Sequence, residues 1–278
     1  MIKIIFYTAF ALCAFAFNSI LCRMALRGGE ADATGFTAVR LVSGAVTLIV
    51  ISYLFGKGKS VSGGNFISAF FLFGYAICFS LAYLGLSAGT GGLILFGCVQ
   101  LTMILVALFR GERPGVLEWV GLIAAIGGLV YLVLPGLSAP PLHSAGLMAA
   151  AGVAWGIYTL RGKSAGDPLG STTGNFIWSV PMIVLAAIPY FSQLHLSTRG
   201  VLLAILSGAV ASGVGYTAWY AALKHLSSTR AAVLQLSVPI LVAAGGIAFL
   251  GEIATTRLWI AAALILGGIG LTVAGKGR

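Results

Sequence analysis

Charge is scarce in this chain. Asp, Glu, Lys and Arg together make up 8% of its 278 residues, whereas a soluble domain carries about 25%. So few charges cannot clothe a water-facing surface, which excludes a soluble enzyme and a nucleic-acid-binding domain. Acids are the rarer sign, 6 against 16 Lys and Arg. In so apolar a chain the positive surplus reads as membrane topology and not as a nucleic-acid footprint. The acids Glu30, Asp32, Glu112, Glu118, Asp167 and Glu252 each fall in a loop or at a helix end, as do His143, His195 and His225. That scatter assembles no Ser/His/Asp set, no carboxylate pair and no metal cluster, so no catalytic centre, cofactor or metal is expected. Cysteine is also sparse. Cys13, Cys22, Cys78 and Cys98 lie inside apolar stretches without metal-ligand spacing and read as small apolar fillers, with no disulfide.

What the chain has is long apolar runs. Ten occur, at 4–26, 34–54, 66–86, 90–109, 116–134, 142–160, 170–191, 200–223, 230–250 and 257–274. Each is near the roughly 20 residues that span a bilayer as a helix. They are about twice the length of a barrel strand and do not alternate, and helices are the other structure that can cross lipid. The expected fold is an all-α integral membrane protein of ten transmembrane helices. The first run begins like a signal peptide, with Lys3 and an Ala14-Phe15-Ala16 site. It continues to Leu26, too long for that role, and reads as the first helix. With the N-terminus on side A, that side collects eleven basic residues: Lys3, Lys57, Lys59, Arg110, Arg113, Arg161, Lys163, Lys224, Arg230, Lys276 and Arg278. Arg23, Arg27, Arg40, Arg199 and Arg257 lie at or toward side B. The bias makes side A the cytoplasm of an inner-membrane protein with both termini inside, and the uncharged connection from Pro135 to His143 external.

The two halves repeat. Phe109-Arg110-Gly111-Glu112 matches Phe249-Leu250-Gly251-Glu252, Trp119 matches Trp259, and Gly127-Gly128 matches Gly267-Gly268, all at an offset of 140. The same offset brings Asn18-Ser19 to Tyr158-Thr159, and Tyr83 meets Tyr220 after a small gap. Residues 1–136 and 137–278 therefore read as two five-helix repeats. Five is odd, so the second enters the membrane from the opposite face, an inverted-repeat transporter architecture.

These residues resemble the drug/metabolite transporter superfamily of the EamA type. The resemblance rests on the ten helices in paired halves, the Gly-Glu before helices 5 and 10, Ala154-Trp155-Gly156 in helix 6 and Ser237-Val238-Pro239 in helix 9. It covers the whole chain and is greatest toward bacterial amino-acid exporters of the YddG kind, which implies neutral and aromatic amino acids as cargo. The first half departs from the pattern: Phe15-Ala16 stands for Trp-Gly, and Val99 stands where helix 9 has Pro239.

Sorting side chains by depth suggests where cargo binds. Tyr7, Trp119, Tyr131, Tyr190 and Trp259 fall near helix ends and read as an interfacial belt. Tyr75, Phe79 and Tyr83 are spaced i, i+4, i+8 on helix 3, one stripe; their repeat mates are Ser212, Tyr216 and Tyr220, and helix 6 adds Trp155 and Tyr158. Ordinary packing accounts for such stripes as well, but a buried phenol needs a partner for its hydroxyl, which favours a wet cavity over lipid. Asn18, Gln100 and Gln235 are deep uncharged polar groups, suited to interhelical hydrogen bonds or to cargo. Pro239 cannot donate to the Gln235 carbonyl and should kink helix 9 there. Gly89 and Gly91 open helix 4 as a hinge or a tight turn. Arg40 lies about 9 Å inside helix 2; it could meet a carboxylate, although snorkelling to the interface is the commoner solution. Glu112 and Glu252 suit the positive ends of helices 5 and 10.

The reading that follows is a membrane exporter of small amphipathic metabolites, most of all neutral and aromatic amino acids. It would work by alternating access through a central cavity lined by Asn18, Tyr75, Phe79, Tyr83, Trp155, Tyr158, Tyr216 and Gln235. Its partners are the small-molecule substrate and the lipid bilayer, without nucleic acid, as a monomer or homodimer. A multidrug or hydrophobic-cation exporter on the same fold, and a non-transporting membrane scaffold, are the alternatives. With no acid or histidine deep in the membrane, transport is expected to run down the cargo's gradient without obligatory proton exchange.

Overall fold

A computed structural model of the protein describes residues 2–55, 63–109, 111, 115–134, 136, 139–163, 166–223, 225–226 and 234–275. The chain is an all-α membrane protein of about ten helices. They are α1 (Ile2–Arg27), α2 (Ala33–Phe55), α3 (Phe66–Tyr83), α4 (Ala88–Phe109), α5 (Val116–Val133), α6 (Leu142–Lys163), α7 (Pro168–Ala187), α8 (Thr198–Leu223), α9 (Ser237–Leu250) and α10 (Thr256–Gly275). Eight are long and apolar enough to cross a membrane, with α9 shorter and α6 diluted by Gly, Ala and polar residues. Large apolar side chains on the outer faces, such as Val46, Val50, Ile123 and Leu185, are exposed, as a lipid-facing surface requires.

Local chemistry sets the ends. Asn65 caps α3 by accepting from the Ile67 and Ser68 amides at 3.0 and 3.2 Å. Glu118 folds back to accept from the Gly115 amide at the start of α5 (3.0 Å). Ser197 accepts from the Gly200 amide at the head of α8 (3.0 Å). Pro168 opens α7, where a missing N–H costs nothing.

Three boundaries differ from the apolar runs. The third helix stops at Tyr83, before the Leu84-Gly85 turn. Helix α7 stops at Ala187, and Ile188–Gln193 tightens into a 3₁₀ turn carrying Pro189. Regular α9 starts at Ser237, after a break at Leu236. Pro239 therefore sits in the first turn of α9, where proline is tolerated, and not at a mid-helix kink. Lys57, Lys59, Arg110, Glu112, Arg113, Lys224, Arg230, Lys276 and Arg278, which entered the charge and repeat arguments, lie outside the described residues.

Alternating spans give the molecule two faces. Face A holds Ile2, Asn65 and Gly275; face B holds Arg27, Ala88, Ser197 and Glu252. The packing pairs are α3 with α6, α1 with α8 and α9, α4 with α6 and α9, α2 with α7 and α8, and α5 with α10. The last pair is built on backbone approach. A Cβ on Gly121 or Gly268 would collide with the facing main chain, and one on Gly128 would press into Leu264 and Ile265 at 2.8–2.9 Å. Gly127, Gly267 and Gly270 look into open space, so the close contact is made by Gly121, Gly128 and Gly268 within one chain.

Candidate functional site

Helix α1 carries Phe15 to the centre of the bundle. Its ring meets Trp155 (6.3 Å between centroids), Tyr216 (5.8 Å) and Trp219 (5.8 Å), each edge-on. Trp155 in turn lies 4.9 Å from Tyr75 and 5.0 Å from Tyr216, and Tyr75 is 5.4 Å from Phe79. With Asn18, Ser19, Leu95, Phe96 and Ala211 these residues enclose a small internal space that admits about one water molecule. The walls come from α1, α3, α4, α6 and α8.

Of the eight residues expected there, Asn18, Tyr75, Phe79, Trp155 and Tyr216 line this space. Tyr83 does not. Its ring packs edge-on to Phe79 at 4.8 Å, and its hydroxyl points at the Ala88 carbonyl, 3.5 Å away. The stripe thus continues toward face B beyond the cavity. Tyr158 stacks on Trp155 at 5.5 Å and turns its hydroxyl to Thr172 and Asn175 of α7. Gln235 is 4% exposed but is not part of the lining, because the break at Leu236 sets it below α9. Gly89 and Gly91 lie in the first turn of α4. The Tyr83 ring sits where a Cβ on Gly91 would go, with Cε1 at 2.5 Å, and Gly89 faces Ala243 and Leu258. Trp178 is 51% exposed beside Phe66.

A polar chain backs the aromatic wall. Ser207 Oγ donates to Asn18 Oδ1 (2.6 Å), and Asn18 Nδ2 donates to the Tyr75 hydroxyl (3.2 Å). Arg40 Nη2 donates to the same hydroxyl (3.1 Å), and Arg40 Nε reaches Ser212 Oγ (3.4 Å). Arg40 does not snorkel. It is 1% exposed, with its guanidinium carbon 5.1 Å from the Tyr75 ring centroid and 5.2 Å from that of Phe79. An arginine at mid-helix costs about 2.5–3.5 kcal/mol on insertion scales; cation–π contact and two hydrogen bonds offset part of that. The π-helical turn Leu206–Val214 in α8 places Ser207 and Ser212 on this wall, and such turns recur at functional sites. Gly208 lets that turn lie against the Arg40 carbonyl, where a Cβ would not fit.

Sequence reasoning missed Phe15, although the repeat offset of 140 that pairs it with Trp155 was visible. Leu95, Phe96 and Ala211 gave no signal, being apolar residues in apolar runs, and Ser19 entered only as the repeat mate of Thr159. For Arg40 the sequence leaves a carboxylate contact and snorkelling both open, because depth alone does not reveal which face of α2 it occupies.

The space around this centre differs between the two faces. Toward face A, a cavity of about 580 Å³ opens among Asn65, Ser68, Val106, Leu160, Arg161 and Asn175. Arg161 Nε donates to Ser68 Oγ there (2.9 Å). Face B is stitched shut between the halves. Arg23 pairs with Glu252 (3.3 Å) and donates to the Tyr83 carbonyl (2.7 Å), while Glu252 Oε2 accepts from the Ala88 amide (2.8 Å). Arg27 donates to the Leu250 carbonyl (2.6 Å). Residues 30–32 pair with 195–197 through a β-bridge at Ala31 and Leu196 and main-chain bonds of 2.8–2.9 Å. Arg257 donates to the Leu134 carbonyl.

The model of the EamA-like transporter family matches residues 144–274. The threonine/homoserine exporter RhtA of Escherichia coli K12 is 30% identical over 268 residues, covering 87% of this chain and 82% of the relative. The chain belongs to the EamA-like transporter family. It is a multi-pass membrane transporter and not an enzyme. An uncharacterized protein of Pseudomonas aeruginosa is 48% identical over 96% of this chain and 93% of its own length. A solved crystal structure superposes with a TM-score of 0.68 over 95% of this EamA-like chain and 94% of its own, at 18% identity, a likeness of fold alone.

Proposed function

We propose that this EamA-like transporter exports neutral amino acids, aromatic ones among them, from the cytoplasm across the inner membrane by alternating access. The observation that carries the reading is a central aromatic space walled by both halves of the chain: Phe15, Asn18, Tyr75 and Phe79 from the first, Trp155 and Tyr216 from the second. Beside it are an open cavity toward face A and a sealed face B. That is one stage of an alternating cycle, with face A as the cytoplasmic side by its basic residues and both termini there. The relatedness to RhtA supports an amino-acid cargo.

The halves 1–136 and 137–278 act as inverted repeats in this reading. The packing pairs support it: α3 with α6 mirrors α8 with α1, α4 with α6 mirrors α9 with α1, and α2–α7 and α5–α10 are self-mirrored. In the sealed state the centre holds only about one water, so cargo binding requires the Trp155–Tyr158 stack or Phe15 to shift.

Efflux of a labelled amino-acid panel from proteoliposomes tests the proposal. Aromatic and small neutral amino acids should move, and Trp155→Ala should cut the rate about tenfold or more while leaving expression and fold intact. Movement of hydrophobic cations in preference to amino acids would favour the multidrug alternative. No movement of any solute would favour a scaffold.

A further inference from the structure

Arg40 Nη1 is buried and has no hydrogen-bond partner among the described residues. No Asp or Glu ion-pairs with Arg40 among them, and the cavity lining contains no acid. The bundle thus holds a cation in its interior with neither its charge nor its donors fully answered, an arrangement that a membrane protein sustains only where the charge has a use.

The Tyr75 hydroxyl beside it is similarly poised. It accepts from Asn18 Nδ2 and from Arg40 Nη2, which occupies both lone pairs of its oxygen. Its own hydrogen is left for a third group, and Tyr75 is on the cavity wall. One unanswered guanidinium N–H pair, behind the wall, therefore adjoins one free O–H, that of Tyr75 on the cavity lining. Both are donors, and one is charged.

We propose that Arg40 and the Tyr75 hydroxyl form an anion subsite that receives the carboxylate of the cargo; this rests on the reading of the aromatic space as the binding site. The cargo brings the counter-charge that α2 lacks, so the carboxylate is the group that licenses entry. Its ammonium is left to the faces of Trp155 and Phe15 and to Asn18 Oδ1, which among the described residues accepts one hydrogen bond, from Ser207. The same uncompensated cation repels an organic cation without a carboxylate, so the subsite separates amino acids from amines and cationic drugs. Arg40 is the specificity-determining group, and Ser212 on the π-turn of α8 positions it through Nε.

The test is binding to the purified full-length protein in nanodiscs, with phenylalanine, phenylpropionate (carboxylate only) and phenethylamine (ammonium only). Phenylalanine and phenylpropionate should bind and phenethylamine should not. Arg40→Gln should weaken the two carboxylates about 10- to 100-fold, the range expected for a charged hydrogen-bond donor, and Arg40→Lys should restore part of the loss. Equal binding of phenylalanine and phenethylamine, unmoved by Arg40→Gln, would overturn the subsite and leave amino-acid export standing. Binding of phenylpropionate without phenylalanine would keep the subsite and sink the amino-acid reading. Binding of none would overturn both. If Arg40→Gln does not fold, the order of the three ligands on the wild-type protein decides.

Discussion

At the scale of single residues, the site turns on polar atoms that cannot be left unpaired in a membrane interior. Asn18 joins Ser207 of α8 to Tyr75 of α3, so one amide holds three helices around the aromatic space. Asn18→Leu should lower thermal stability by about 0.6–2 kcal/mol, the range for interhelical hydrogen bonds in bilayers, and should reduce transport by more than the stability loss explains. Melting in nanodiscs beside efflux from proteoliposomes checks it; parallel small losses would make Asn18 structural glue alone. Tyr83 supplies the contrast. Its hydroxyl points at the Ala88 carbonyl at 3.5 Å and it stands outside the cavity lining, so Tyr83→Phe should leave efflux unchanged. A large drop in that variant would extend the binding site toward face B.

At the scale of helices, glycine placement decides which surfaces touch. Gly121 and Gly268 let α5 and α10 meet backbone to backbone, and a Cβ on either has no room. Gly121→Val should therefore destabilise the protein by about 1–3 kcal/mol or more, as overpacking does. Gly127→Val, one of the glycines facing open space, should change it by no more than about 0.5 kcal/mol. Melting temperatures of the two variants measure the contrast, and equal effects would mean that helix propensity and not contact is at work. The π-helical turn of α8 is the second element-scale device. It inserts an extra residue per turn between Ser207 and Ser212, so both hydroxyls reach the polar chain behind the aromatic wall.

At the scale of the whole molecule, face B is held by bonds that cross between the halves, and Arg23 with Glu252 is the more buried of two ion pairs there, the other being Arg199 with Glu30 (3.5 Å). The Arg23 and Glu252 side chains are 15% and 10% exposed, so the pair is poorly screened by salt. Glu252→Gln removes the charge and weakens the bonds to Arg23 and to the Ala88 amide. It should shift the population toward the state open at face B by roughly 5- to 30-fold, the equivalent of one or two kcal/mol. Cysteine labelling at Ser19→Cys, on the cavity wall, from the external side should rise in the Glu252→Gln background; unchanged labelling would remove the pair from the gate. The orientation is open to the same chemistry. Ser171→Cys, beside the open cavity, should label from the cytoplasmic side and Ala139→Cys from outside, and the reverse pattern would invert the topology. Transport with an imposed proton gradient should not be concentrative, because no acid or histidine lines the central space. Uptake that collapses with a protonophore and vanishes in Glu252→Gln would establish coupling instead.

The apolar runs alone determined that this chain crosses a membrane as about ten helices. Length and hydropathy are local properties, and lipid permits few structures other than a helix. The repeat at an offset of 140 likewise needed only the order of residues, and the helical spacing of Tyr75 and Phe79 was enough to put them on one side of α3. The stripe could not say where the cavity ends: Tyr83 shares the face with Tyr75 but lies beyond the space that α1, α6 and α8 close. The break at Leu236, which removes Gln235 from the lining, depends on how α9 packs against α1 and α4. Arg40 is the sharpest case. Its sequence position fixes its depth, but whether a deep arginine snorkels or turns inward depends on what stands on the inward side. Here Tyr75, Phe79 and Ser212 stand there, brought together from two helices that neither the spacing nor the composition of α2 reveals. Ionic and aromatic contacts between distant segments exist only after the helices pack, and so tertiary structure alone decided that the charge sits in the centre.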